Sequence, residues 1–166
     1  MRLASTQPEM LEKTRQMMER QIQHMVHLVD DLLDVARIST GKVELRRRPM
    51  DLKEVVATAV ETSASLVDAG GHRLTVELPS QPLPMEADPT PIAQGVGNLL
   101  NNAAKYTPPG GRIALQVRVE GDEAVLDVTD TGVGIAGDAL DKVFEMFAQV
   151  PSTGKPQGGL GIGLSL

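Results

Sequence analysis

The residues best equipped for chemistry lie near the middle of the chain, where Asn98, Asn101 and Asn102 precede Lys105, Tyr106, Thr107 and Pro108. Asn98 and Asn102 are four apart, which places them on one face of a helix with Asn101 beside them. An apolar helix face interrupted by amides is costly unless they bind something, because an unsatisfied buried amide costs roughly 1–3 kcal/mol. Amide oxygens are hard ligands that suit magnesium, an ion that keeps several waters and binds substrate phosphates. Lys105, one turn on, can reach an anion, and Tyr106 offers a flat face to a base. A helix merely ending in polar residues fits the same pattern, so residue chemistry alone leaves the two readings level.

Two glycine-bearing segments follow. In Asp130-Thr-Gly132-Val-Gly134-Ile135 the glycines permit a tight turn and a close backbone approach to a ligand. Asp130, at the carboxyl end of a predicted strand, can accept a hydrogen bond from an exocyclic amine; a plain hairpin turn is the simpler reading. In Gly158-Gly159-Leu-Gly161-Ile-Gly163-Leu164, glycines at alternate positions can turn backbone N–H groups toward phosphate at a helix N-terminus, or can form a flexible tail. The strand-helix-strand unit of a dinucleotide fold is missing, and no Gly-Lys-Ser/Thr marks a Walker loop. Between the two segments lie Phe144-Glu-Met-Phe147 and a stretch rich in Pro, Gly, Ser and Gln, which reads as a lid. Phe144 and Phe147 read as packing residues rather than ligand contacts.

Helices and strands must position these groups. Residues 9–38 read as one long helix, with Met18, Ile22, Met25, Val29, Leu32 and Ala36 at coiled-coil spacing and Leu11 one heptad earlier. Each such side chain is worth roughly 1.5–3 kcal/mol when buried, less for Ala, and no second helix of this pattern exists in the chain, so packing against another subunit is expected. Gly41 ends the helix. After Pro49, Asp51 and Glu54 have capping-box spacing, and Val55, Val56, Ala59, Val60 and Leu66 form one apolar face. Leu74 to Leu78 alternates as a strand. Thr90 and Pro91 begin a further helix running to about Lys105, with Thr as the cap. Ile113 to Val119 and Ala124 to Thr129 form a hairpin across Glu120-Gly121-Asp122. The expected fold is α+β: a two-layer sandwich, helices on one face of a mostly antiparallel sheet, preceded by a coiled-coil-like helix.

Composition narrows the function classes. The 166 residues are 41% hydrophobic and 23% charged, as in folded soluble proteins. A net charge of -6 argues against nucleic acid as a partner, and Arg46-Arg47-Arg48 reads as a solvated run. Without cysteine there are no disulfides or thiolate metal sites. No apolar run approaches the roughly 18 residues of a membrane span, so no membrane contact and a cytoplasmic location are expected.

In order and spacing, the four chemical segments resemble the N, G1, F and G2 boxes of the histidine-kinase ATPase domain, the Bergerat-type nucleotide fold. Val26 to Lys42, with its Asp30-Asp31, is similar to the second stalk helix of two-component sensor histidine kinases. The resemblance covers residues 10–166 and implies two domains: 1–48 as the second helix of the dimerisation stalk and 49–166 as the catalytic ATP-binding domain. It implies Asn102 as main magnesium ligand with Asn98 assisting, Lys105 on phosphate, Tyr106 flanking adenine, and Asp130 on its amino group. Gly132 and Gly134 would shape the adenine pocket. Gly159, Gly161 and Gly163 would border the triphosphate, and Lys155 would reach toward the γ-phosphate. The implied reaction transfers the γ-phosphoryl of ATP to a histidine, then to an Asp of a response regulator or receiver domain.

Two departures qualify the match. The family's acceptor is a His followed by an acidic residue on the first stalk helix, and here His24 precedes Met25 and His27 precedes Leu28. Both read as polar helix positions, so the phosphate acceptor is expected outside this chain. The sequence also stops inside the last box, so a C-terminally incomplete domain is expected, with Gly95 and Gly97 adding about 1 kcal/mol each in helix cost. The alternative is a nucleotide-gated dimerisation module without phosphotransfer. A serine-phosphorylating or ATP-hydrolysing relative of the same fold is disfavoured by the heptad helix.

Overall fold

A computed structural model describes residues 10–12, 14–15, 17–19, 21–22, 25–26, 29, 45–145 and 164. The chain divides into two units, Met1–Val43 and Glu44–Leu166. In the first, the described residues are helical, and Met18, Ile22, Met25 and Val29 of the expected stripe are all exposed. Leu32, Ala36, His24 and His27 lie outside the described residues.

The second unit is the α+β sandwich. Its elements run β1 (Arg48–Asp51), α1 (Leu52–Ala69), β2 (Arg73–Glu77), β3 (Pro84–Ala87), α2 (Pro89–Tyr106), β4 (Arg112–Glu120) and β5 (Glu123–Asp130). Two short 3-10 turns follow at Gly137–Ala139 and Lys142–Phe144. β4 alternates buried Ile113, Leu115 and Val117 with exposed Arg112, Ala114 and Gln116, so one sheet face is dry and the other solvated. The dry face meets both helices: Leu52, Val56 and Ala59 of α1 and Val96, Leu100 and Ala103 of α2 join the same core. On the wet face Gln116 donates to Glu77 at 2.9 Å, and Arg118 pairs with Glu120 and Asp127.

Several sequence expectations change in detail. The main sheet has order β2-β4-β5; β4–β5 is the expected antiparallel hairpin, but β2–β4 is parallel. That parallel pair is joined by a crossover containing α2. β1, which carries little alternation, forms a separate antiparallel ribbon with β3. On α1 the apolar face ends at Val67, 4% exposed, whereas Leu66 is 50% exposed. Leu66 lies at the margin of the buried stripe in the last turn, where no described element covers it.

α2 starts at Pro89 with Asp88 as its cap, not at Thr90. Both Asp-Pro and Thr-Pro are good start signals. Asp88 prevails because its carboxylate accepts from Thr90 N–H at 3.0 Å and also from Arg46 N–H at 2.9 Å, tying the helix start to the chain before β1. Asp51 behaves alike at α1: Oδ1 accepts from Lys53 N–H at 3.0 Å and Leu83 N–H at 3.1 Å.

Candidate functional site

The site is built around the carboxyl end of α2. Val96, Leu100, Ala103 and Ala104 are buried, which turns the face bearing Asn98 and Asn102 to the rim, where both are half-buried. Asn101 is half-buried too, and its Oδ1 is enclosed without a hydrogen-bond partner. Lys105 and Tyr106 complete the last turn, with the Lys105 ammonium 4.9 Å from the centre of the Tyr106 ring, inside cation–π range.

This helix end lacks its ordinary finish. Thr107 N–H donates to Ala103 O at 3.1 Å, the last bond of the helical ladder. The next two donors in the ladder belong to residues 108 and 109, both proline, which have no N–H to give. His72 substitutes for the first of them, its Nε2 2.9 Å from Ala104 O, and Val133 N–H donates to Tyr106 O, two residues further on, at 3.2 Å.

The Val133 bond brings the second motif onto the first. Asp130 is register partner to Ile113, so strand alternation places it on the helix-covered face of the sheet, at the strand's last position. Gly132 N–H donates to its Oδ1 at 2.7 Å, which fixes the carboxylate and leaves Oδ2 for a donor from elsewhere. A Cβ at Gly132 would come within 2.5 Å of Asp130 Oδ1 and 2.6 Å of Tyr106 O. Glycine is needed there for room. At Gly134 it is needed for conformation, with φ 70. Thr131 continues the register, its Oγ1 accepting from Arg112 N–H at 3.0 Å.

Asn98, Asn102, Lys105, Tyr106, Asp130, Gly132 and Gly134 are therefore carried by two segments that a backbone bond clamps together. An amide cluster, a cation, an aromatic ring and a fixed carboxylate make a set of groups suited to a nucleotide: metal and phosphate at one end, a base amine at the other. Among the described residues no group of three or more His, Cys, Asp or Glu can hold a metal by itself. Magnesium keeps several waters and relies on substrate phosphates, so the amides would hold it only together with a bound nucleotide.

Gly159, Gly161, Gly163, Lys155 and Phe147 lie outside the described residues. Phe144 is 64% exposed, so it does not pack as the sequence reading held. The polar group at this helix end that sequence reasoning missed is His72; the doubled proline after the helix signals a need for outside donors.

Residues 87–166 match the family described as histidine kinase-, DNA gyrase B-, and HSP90-like ATPase. Residues 87–166 belong to that ATPase family. It is 37% identical over 149 residues to the non-motile and phage-resistance protein of Caulobacter vibrioides, covering 87% of this chain and 18% of that protein. It is 35% identical over 147 residues to the circadian input-output histidine kinase CikA of Synechococcus elongatus, covering 87% of this chain and 20% of CikA. The chain thus spans only about a fifth of the curated relatives it matches. Among solved structures, full-length ShkA in complex with AMPPNP superposes with a TM-score of 0.73 at 26% identity, over 99% of this chain and 33% of ShkA. Membership of the ATPase family implies use of ATP. No described helix is long and apolar enough to cross a membrane.

Proposed function

We propose that the chain is the ATP-binding catalytic portion of a sensor histidine kinase: residues 49–166 hold the nucleotide and residues 1–48 supply one helix of a dimerisation stalk. The observation that carries this reading is the clamp from Val133 N–H to Tyr106 O, which sets the Asp130 carboxylate beside the turn bearing Asn102 and Lys105. In the proposed complex Asp130 Oδ2 accepts from the adenine amino group, and Tyr106 flanks the base. Gly132 and Gly134 let the backbone approach the ring. Lys105 contacts phosphate, Asn102 with Asn98 holds magnesium, and Gly159, Gly161 and Gly163 border the triphosphate.

Magnesium held by Asn102 with Asn98 would supply charge neutralisation at the phosphates. The protein's part is positioning, which converts an encounter of two molecules into a reaction within one complex. The γ-phosphoryl group passes from ATP, leaving ADP, to a nitrogen of a histidine not present in this sequence, and from there to an Asp of a response regulator or receiver domain. The exposed stripe of Met18, Ile22, Met25 and Val29 is the proposed homodimer contact, since apolar side chains at this spacing gain by meeting a partner helix.

Mixing the chain with an acceptor-bearing stalk and γ-labelled ATP tests the reading. Label on the stalk histidine is expected. Tight nucleotide binding with no transfer supports instead a nucleotide-gated dimerisation module.

A further inference from the structure

His72 has no part in the chemistry just described, yet it is buried beneath the helix end that does. It follows the last turn of α1 and precedes β2, and its ring lies against Gly70. Its Nε2 is 2.9 Å from Ala104 O. A carbonyl only accepts, so the proton is on Nε2 and the ring is the donor. Ala104 O is the carbonyl whose ladder partner would be residue 108, a proline. The imidazole thus stands in for the N–H that Pro108 lacks.

Two observations set this apart from ordinary core filling. First, His72 Nδ1 is buried without a partner. A side chain selected for volume alone would be apolar and carry no orphaned nitrogen; the orphan is tolerated because the other nitrogen is used. Second, Gly70 has φ -80, which any residue adopts, so its backbone does not call for glycine. A Cβ there would lie 2.1 Å from His72 Nε2. Gly70 makes room for the ring.

We infer that His72 is a positioning residue for the nucleotide site: by closing Ala104 O it holds the turn carrying Lys105 and Tyr106 in register with the Asp130–Gly134 loop. The inference rests on the ATP reading for its functional consequence, while its structural half stands without it. Three further bonds brace the same junction: Gly110 N–H to Gly70 O at 3.0 Å, Arg73 N–H to Gly111 O at 2.9 Å, and His72 N–H to Val67 O at 3.0 Å. The ring therefore projects from a fixed point, and its loss frees the helix end rather than the junction.

The test compares His72→Leu, His72→Gln and Gly70→Ala with wild type in the full chain, with Val56→Ala as a core variant on α1 that bears no site residue. Amide exchange is followed at Thr107 and Val133, and affinity for ATP with magnesium is measured below every melting transition. His72→Leu is expected to speed exchange at both amides by about tenfold and to weaken ATP by about tenfold. His72→Gln, whose amide can donate to the same carbonyl, is expected to recover to within about threefold, and Gly70→Ala to follow His72→Leu. Unchanged exchange in His72→Leu overturns the inference. So does an equal loss of affinity in His72→Gln, or in Val56→Ala at a matched drop in melting temperature. Failure of the wild type to bind ATP defeats the nucleotide reading, and the exchange comparison then decides the positioning role alone.

Discussion

α1 and α2 are both 18 residues long, and both are capped by an aspartate that accepts from the N–H two residues on. They differ at their carboxyl ends. α1 closes on itself, with Gly70 N–H reaching Leu66 O and Gly71 N–H reaching Asp68 O. α2 is cut short by Pro108 and Pro109, and its last carbonyls are met by His72 from one side and Val133 from the other. The self-contained end bears none of the candidate site residues; the end completed by distant segments bears Asn98, Asn102, Lys105 and Tyr106. A helix finished from elsewhere binds separate parts of the chain into one place, and a ligand that needs groups from several segments needs such a place.

Three perturbations separate the two kinds of role. The largest effect on stability is expected at Leu100, fully buried between the helices and the sheet. Leu100→Ala should cost about 2–5 kcal/mol by denaturant unfolding, with ATP affinity within about threefold of wild type where the variant is folded. A large affinity loss in the folded variant would mean that core and site are not separable.

Gly132→Ala should do the reverse. The new methyl would press on Asp130 Oδ1 and Tyr106 O. ATP affinity should fall tenfold or more, about 1.4 kcal/mol, in a calorimetric titration. Wild-type affinity would show that the loop does not sit over the helix end as described.

The smallest effect concerns the start of α2. The Arg46 N–H, and next the Thr90 N–H, hold the Asp88 carboxyl below its ordinary 3.8. A carboxyl lowered in the folded state stabilises above its unfolded value, and that stabilisation disappears as pH falls through the folded one. Asp88→Asn keeps an acceptor but removes the titration. The gap in melting temperature between wild type and Asp88→Asn should therefore narrow from pH 7 to pH 3; a constant gap contradicts the assignment.

The local placing of the candidate site residues was more legible in the sequence than the framework. The placing of Asn98, Asn102 and Lys105 late in a helix and of Asp130 at a strand end was readable because local spacing fixes which residues share a helix turn or end a strand. Gly132 was readable as a glycine, but its reason, room against Tyr106 O, depends on a contact across the fold. The parallel β2–β4 pairing and the β1–β3 ribbon were not legible, since a strand's partner is set by tertiary packing. Leu66 and Val67 are adjacent at the end of α1, and hydropathy cannot say which one a neighbouring element covers. Asp88 outcompeted Thr90 through its bond to Arg46, a residue 42 positions away.

The central claim is that the end of α2 and the Asp130–Gly134 loop form one nucleotide site in which Asn102 holds the metal. Calorimetric titration of ATP, with and without magnesium, into wild type and Asn102→Ala tests it most directly. Magnesium should tighten binding to wild type and have no such effect in the variant, whose fold is intact by circular dichroism. Equal magnesium dependence in the two proteins would contradict the account.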